Sequence, residues 1–240
     1  MTNPRSNKIL GAIPEKEFEY LADNLKLVSL TKHQTLFDIG QIPLHVYFPV
    51  GAIISMLRDL PDGSSIETHM LGKSGMVGTG VGASGIGSFY RARVRSCGLA
   101  YKMDIHSLRM VWSRCPGFAQ TAQESIQQIL GQLIQSIICS KKHSIDQQLV
   151  RWILLTLDNS FTSTIDITHQ ELSGLLGFRR EAISLAMRKL SENGLIAASR
   201  GAFSVQDRTH LEMAACDCYW IAQQKIRPIG HISPGSGCFC

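Results

Sequence analysis

Two runs of helical period meet at Gly177 and organise the C-terminal third of the chain. Thr168 with Glu171 three positions on forms a capping box, each side chain satisfying a backbone N–H at a helix start. Leu172, Leu175 and Leu176 then lay one apolar stripe along that helix. Gly177 supplies the backbone freedom for a tight reversal. Ile183, Met187 and Leu190 repeat the stripe on a second helix, which Asn193-Gly194 should stop. Leu195 to Val205 reads as two short strands around an Arg200-Gly201 turn. The pattern predicts a helix-turn-helix followed by a β wing.

Elsewhere the period changes along the chain. Pro14 to Asn24 is an amphipathic helix pattern, with Phe18, Leu21, Ala22 and Leu25 to one side. From Lys26 to about Met103 short β-rich segments alternate with turns. Strand candidates are His45–Phe48, Ala52–Leu57, Ser65–Met70 and Tyr90–Arg95, with Pro61-Asp62-Gly63 as a clear turn. Such spacing suggests a sandwich or jelly roll. Asp104 to Cys115 predicts a short helix broken by Pro116, and Phe118 to about Lys142 a long one. On the long helix Ile126, Leu130, Leu133 and Ile137 make a narrow, heptad-like seam, with Gln120, Gln123, Gln127, Gln128, Gln132 and Gln135 on other faces. A seam of this width meets either one partner helix or the chain's own roll. Ile145 to Leu157 adds a helix containing Trp152 that Asp158-Asn159-Ser160 ends, and Asp207 to about Lys225 reads as one final helix. The stretch from Pro228 to Cys240 is rich in Gly, Pro and Ser and is expected to be disordered.

Composition adds modest constraints. The 240 residues are 44% hydrophobic and 18% charged, which suits a globular chain of two modest domains. A net charge of +5 permits nucleic-acid binding without establishing it. With no long apolar run and no secretory leader pattern, a cytoplasmic location is expected. Seven cysteines at 97, 115, 139, 216, 218, 238 and 240 do not form a secreted disulfide framework. Cys216-x-Cys218, read as part of a helix, should splay its thiols roughly 200° apart. The cysteines are therefore taken as structural or incidental, and no metal is assigned. Gly80 to Gly85 fits a dinucleotide fingerprint but no helix follows it; Gly72-Lys73-Ser74 ends like a phosphate loop but Glu67 stands where the first glycine belongs. No catalytic constellation has a credible spacing, so the chain is not expected to be an enzyme.

The outward face of the second helix carries the candidate chemistry: Arg180, Glu181, Ser184, Leu185 and Arg188. Arg179 falls at the N-cap, where Ser or Thr would be better by about 1 kcal/mol. Cations there also oppose the helix dipole. An anionic partner such as DNA phosphate would account for them. Thr168, Arg179, Arg188, Ser199 and Arg200 are the phosphate candidates. An Arg suits guanine O6/N7 and a carboxylate the cytosine amino group.

From Ile167 to Val205 the chain resembles the C-terminal domain of the catabolite activator/fumarate-nitrate regulator (CRP/FNR) family. The resemblance rests on Ile-Thr-x-x-Glu-Leu, Leu-Gly-x-x-Arg-Glu-x-Ile-Ser and Leu-x-x-x-Gly-Leu-Ile. It implies an α+β fold: an N-terminal cyclic-nucleotide-binding-like β-roll (a jelly roll), a long dimerisation helix and a C-terminal winged helix-turn-helix. The expected boundaries are 1–115 for the roll, 116–143 for the dimer helix, 144–227 for the DNA-binding domain and 228–240 for the tail. It also implies a homodimer on palindromic double-stranded DNA, with RNA polymerase as a further partner. Arg180 and Glu181 map onto the family's base-reading pair, whereas Leu185 stands where the catabolite activator has a second base-reading Arg. Nucleotide-binding relatives carry a Gly-Glu for the ribose and an Arg about ten residues on for the phosphate. Here Gly78 is followed by Thr79, and Arg91 is offset by one with Tyr90 in register. Cyclic nucleotide is therefore not an expected cofactor, although Gly78, Thr79 and Arg91 remain candidates for an effector pocket. Oxygen-sensing relatives carry an N-terminal cysteine cluster, and the first cysteine here is Cys97. Three other readings stay open: a cyclic-nucleotide-gated regulator, a ligand-binding module with a vestigial helix-turn-helix, and a metal or redox sensor using the cysteines.

Overall fold

The computed structural model describes residues 3–78 and 86–223. After a short 3-10 turn come α1 (Lys8–Ala12) and α2 (Glu15–Ala22). Seven strands follow: β1 (Lys26–Leu30), β2 (Thr35–Phe37), β3 (His45–Pro49), β4 (Ile53–Asp59), β5 (Ser65–Leu71), β6 (Arg91–Ser96) and β7 (Gly98–Asp104). Then come α3 (Ile105–Arg114), the long α4 (Pro116–Lys142) and α5 (Ile145–Asn159). The C-terminal part comprises β8 (Thr164–Ile165), α6 (His169–Leu176), α7 (Arg180–Glu192), β9 (Ile196–Ser199), β10 (Ala202–Val205), α8 (Arg208–Met213) and α9 (Asp217–Gln223).

Two antiparallel sheets, ordered β1-β7-β3 and β2-β6-β4-β5, face each other as a roll. Ile54, Met56, Ala92, Val94, Val77 and Phe37 fill the space between them. β4 is buried continuously from Ile53 to Leu57 rather than alternately. Both its faces are covered, and the run is accordingly apolar but for Ser55. One face meets the other sheet, and the opposite face meets the C-terminal domain. Ile53 and Met70 accordingly join the core built by Leu149, Ile153, Leu172, Ile183, Phe203, Leu211 and Tyr219.

Polar groups close the same contact. Trp152 donates its Nε1–H to Glu67 Oε1 at 2.8 Å, and the Arg95 guanidinium stacks 4.6 Å from the Trp152 ring centre. Arg95 also donates to Thr156 Oγ1 at 3.1 Å and lies 4.0 Å from Glu67 Oε2. Ser55 donates to the same carboxylate. The phosphate-loop look-alike proves to be an interdomain latch. Lys73 Nζ donates to Ser160 O at 3.1 Å, and Ser74 Oγ to Asn159 Oδ1 at 2.8 Å. Gly72 allows this approach, since a Cβ there would lie 2.7 Å from Asn159 Cβ.

Several sequence expectations need correction. β1, β2, β7, β8 and α1 lie outside the strand and helix candidates of the sequence; α1 is a five-residue helix held by Asn7, whose side chain accepts from Ile9 and Leu10 N–H. The predicted helix over 207–225 is two helices, α8 and α9, with Ala214 to Cys216 between them. The expected splaying of Cys216 and Cys218 therefore does not occur, because Cys216 lies outside the helix that contains Cys218. The glutamine face of α4 is also partly covered: Gln135 is buried, and Gln132 donates to Ala222 O of α9 at 3.5 Å. The Gly80–Gly85 fingerprint, Thr79, the Gln224–Lys225 end of the predicted last helix and the 228–240 tail lie outside the described residues.

Candidate nucleic-acid interface

The two-helix unit forms as its sequence directs. Thr168 Oγ1 accepts from Glu171 N at 3.1 Å, while Glu171 Oε2 accepts from Thr168 N at 2.9 Å. Gly177 takes a left-handed conformation (φ 72°, ψ 28°), and Phe178 N donates back to Ser173 O at 3.0 Å, closing α6. Arg179 then occupies the N-cap of α7 and makes no side-chain capping bond. Ile183, Ala186, Met187 and Leu190 of α7 point into the core.

That packing leaves Arg180, Glu181, Ser184, Leu185 and Arg188 to line one open concavity on the opposite side. Their i, i+4, i+8 spacing gives a single row a little over two turns long. The side chains of Arg179, Arg180 and Arg200 make no hydrogen bond or ion pair among the described residues, while Arg188 lies 3.9 Å from Glu192. Ser184 Oγ is 3.0 Å from His169 Nδ1 on α6. His169 thus orients the one hydroxyl of the row, a role for which the sequence offered no signal because the pair is tertiary. Among the phosphate candidates, the hydroxyls of Thr168 and Ser199 are engaged within the chain, Thr168 by Glu171 and Ser199 by Ala202 O at 3.1 Å. Arg200 projects at the wing tip beside Gly201 (φ 75°), in the turn between β9 and β10. β8 adds a third strand, giving the order β8-β10-β9.

The helix-turn-helix is also clasped from behind by the roll. Lys32 Nζ donates to Asp166 O at 3.0 Å and, like His33, lies 3.6 Å from Glu171. Burial alone would raise the Glu171 carboxyl, but the Thr168 N–H and Lys32 hold it below its ordinary value.

The seam residues of α4 divide. Leu130 and Ile137 are exposed and are joined by Ile134 and Ile138, at 44–63% exposure, whereas Ile126 and Leu133 are half-buried. In the roll, Arg91 pairs with Asp38 Oδ1 at 3.0 Å and Asp59 Oδ2 at 2.8 Å, on the face opposite the buried Ala92. Its charge is committed there. Gly78 takes φ 95°, and its backbone hydrogen-bonds Tyr90, a residue packed edge-on to Phe37.

A second cluster lies where α4, α5 and α9 meet. Cys139, His143, Cys216 and Cys218 bring their ligand atoms within 4.8 Å of one another. Burial and the neighbouring Cys216 push the Cys139 thiol up to about 12.

An exposed, arginine-bearing second helix with a β wing defines a winged helix-turn-helix of the DNA-binding kind. The Crp-like helix-turn-helix domain matches residues 147–214. Solved structures extend the likeness to the whole fold. A CRP/FNR-family regulator from Eubacterium rectale aligns at TM-score 0.65 and 16% identity, over 87% of this chain and 98% of that one. FixK2 from Bradyrhizobium japonicum aligns at TM-score 0.65 and 15% identity, over 80% and 98%. A CRP-family regulator from Thermus thermophilus gives 0.64 and 15%, over 78% and 96%. No curated protein sequence matches the chain. Residues 147–214 therefore match the Crp-like helix-turn-helix domain, and the chain shares the fold of solved CRP/FNR-type regulators.

Proposed function

We propose that the protein regulates transcription as a homodimer that reads a palindromic DNA site with α7. The observation that carries this reading is the row from Arg180 to Arg188, exposed on a helix whose other side is locked into the core. In the major groove, Arg180 would read guanine and Glu181 the cytosine amino group, while Leu185 would touch a thymine methyl. Arg179, Arg188 and Arg200 would hold phosphates on either side, with Thr168 and Ser199 at the edge of the contact. Dimerisation would use the exposed stripe of α4, because a two-fold dimer presents two recognition helices one DNA turn apart. Cyclic nucleotide is not part of this reading, since Asp38 and Asp59 already hold Arg91. Contact with RNA polymerase would follow from action at promoters.

The test is selection of a binding site from random duplex DNA by the purified full chain, followed by titration at several salt concentrations. A two-fold symmetric consensus, with affinity falling steeply as salt rises, is expected. Failure to enrich any sequence, together with negligible salt-dependent affinity, would leave the helix-turn-helix as a protein contact.

A further inference from the structure

The thiol cluster is not ordinary core. Cys139, Cys216 and Cys218 form a small buried group of their own, separate from the three apolar cores. Its neighbours are polar. Gln135 Nε2 donates to Cys218 Sγ at 2.9 Å, and His143 Nδ1 lies 3.4 Å from the same sulfur. Cys139 and Cys216 are 3.8 Å apart, sulfur to sulfur. Two thiolates bound to one tetrahedral zinc at about 2.3 Å would be separated by roughly 3.8 Å, and a thiolate and an imidazole nitrogen by about 3.5 Å. These two spacings match those of ligands around one ion, and all four ligand atoms lie within 4.8 Å of one another. They are too close-set for an iron–sulfur cluster, which distributes its thiolates over several irons.

Chain geometry produces the convergence. Cys139 and His143 are separated by one helical turn at the end of α4, so they share a face. Cys216 lies in the break between α8 and α9, with its thiol within 4.8 Å of that of Cys218. Arg151 supplies a second, independent observation. It is 9% exposed, and its buried Nε has no hydrogen-bond partner, although Nη2 donates to Ser136 at 3.0 Å. Its charge acts on Cys139. Three thiolates, a neutral imidazole and a divalent cation carry a net charge of −1, which one buried arginine balances.

We infer that Cys139, His143, Cys216 and Cys218 form a structural site for a single divalent zinc-type ion, which pins α9 to the end of α4. On binding, the three thiols release their protons to solvent and form three metal–sulfur bonds, and His143 Nδ1 provides the fourth ligand, with no change in oxidation state. Gln135 acts from outside the ligand set by donating to the Cys218 thiolate. The site needs no DNA and stands independently of the proposed regulatory role.

The experiment is elemental analysis of full-length protein purified under reducing conditions from zinc-supplemented medium, with cobalt(II) as the probe after zinc removal. One zinc per chain is expected, with the visible bands of tetrahedral thiolate-bound cobalt on exchange. Chelation should lower Tm by roughly 5–10 °C, and zinc should restore it. Cys216→Ser/Cys218→Ser should lose the metal, while Cys97→Ser, at an exposed thiol, should retain it. Removal and return of the ion in the unmodified protein keeps the test decisive should the double variant fail to fold. Metal-free protein that also fails to bind cobalt, a bound iron–sulfur cluster, or zinc retained in the double variant would each overturn the assignment.

Discussion

At the scale of single residues, base-reading and phosphate-holding side chains separate by what their loss does. Arg180→Ala should relax preference at one base pair of each half-site, costing about 1–3 kcal/mol for the cognate sequence. Arg200→Ala should instead weaken all sequences alike and reduce the slope of log affinity against log salt by about one. A repeated site selection and a salt titration distinguish the two. His69 gives a prediction of a different kind. Burial, reinforced by the Arg151 cation, lowers its imidazole to about 4. Between the unfolded value of 6.5 and about 4 the unfolded chain binds a proton that the folded chain does not. The corresponding stability is present above that window and is lost as pH falls through it. His69→Gln should therefore flatten the decline of the urea midpoint between about pH 7 and about pH 5 relative to the unmodified protein.

At the scale of elements, α4 presents two different faces. Gln132, Gln135 and Cys139 face α9, while Leu130, Ile134, Ile137 and Ile138 face outward. Ile137→Asp places a charge in the outward stripe, at a position 63% exposed in the single chain. Light scattering should show a dimer becoming a monomer at micromolar concentration, with little loss of helical circular dichroism. The seam was legible from the spacing of Ile126, Leu130, Leu133 and Ile137, but its exact orientation was not, because a half-turn of rotation is decided by what packs behind. The helix-turn-helix and wing were legible almost residue by residue. Their signals are local: a capping box, a left-handed glycine and two apolar stripes. The break between α8 and α9 was not legible. Ala214-Ala215-Cys216 contains no Gly or Pro, so tertiary packing rather than propensity ends α8. The thiol cluster was hidden for the same reason, compounded by the 77 positions between Cys139 and Cys216.

At the scale of the whole molecule, the roll and the winged domain share one core and one buried ion pair. Arg95 and Glu67 expose 6% and 2% of their side chains. Burial lowers the Arg95 guanidinium and Glu67 counteracts that shift. Glu67→Ala would leave a buried arginine unpaired and Trp152 without its acceptor, costing roughly 3–5 kcal/mol. Glu67→Gln keeps an acceptor for Trp152 and should cost less. Denaturant unfolding followed by tryptophan fluorescence and by circular dichroism should give coincident curves for the unmodified protein. A separation of the two curves in Glu67→Ala would show the domains coming apart before they unfold.

The double-sided burial of β4 has a consequence for how the chain is made. Ile53 and Met70 leave the ribosome long before Leu149, Ile153 and Trp152, which cover them. The growing roll must therefore hold an apolar patch and, once Arg95 has been added, an uncovered arginine–glutamate pair in water until α5 is complete at Asn159, about sixty residues later. Nascent chains halted before α5 should be bound by chaperones that recognise exposed apolar segments, and completion of α5 should release them.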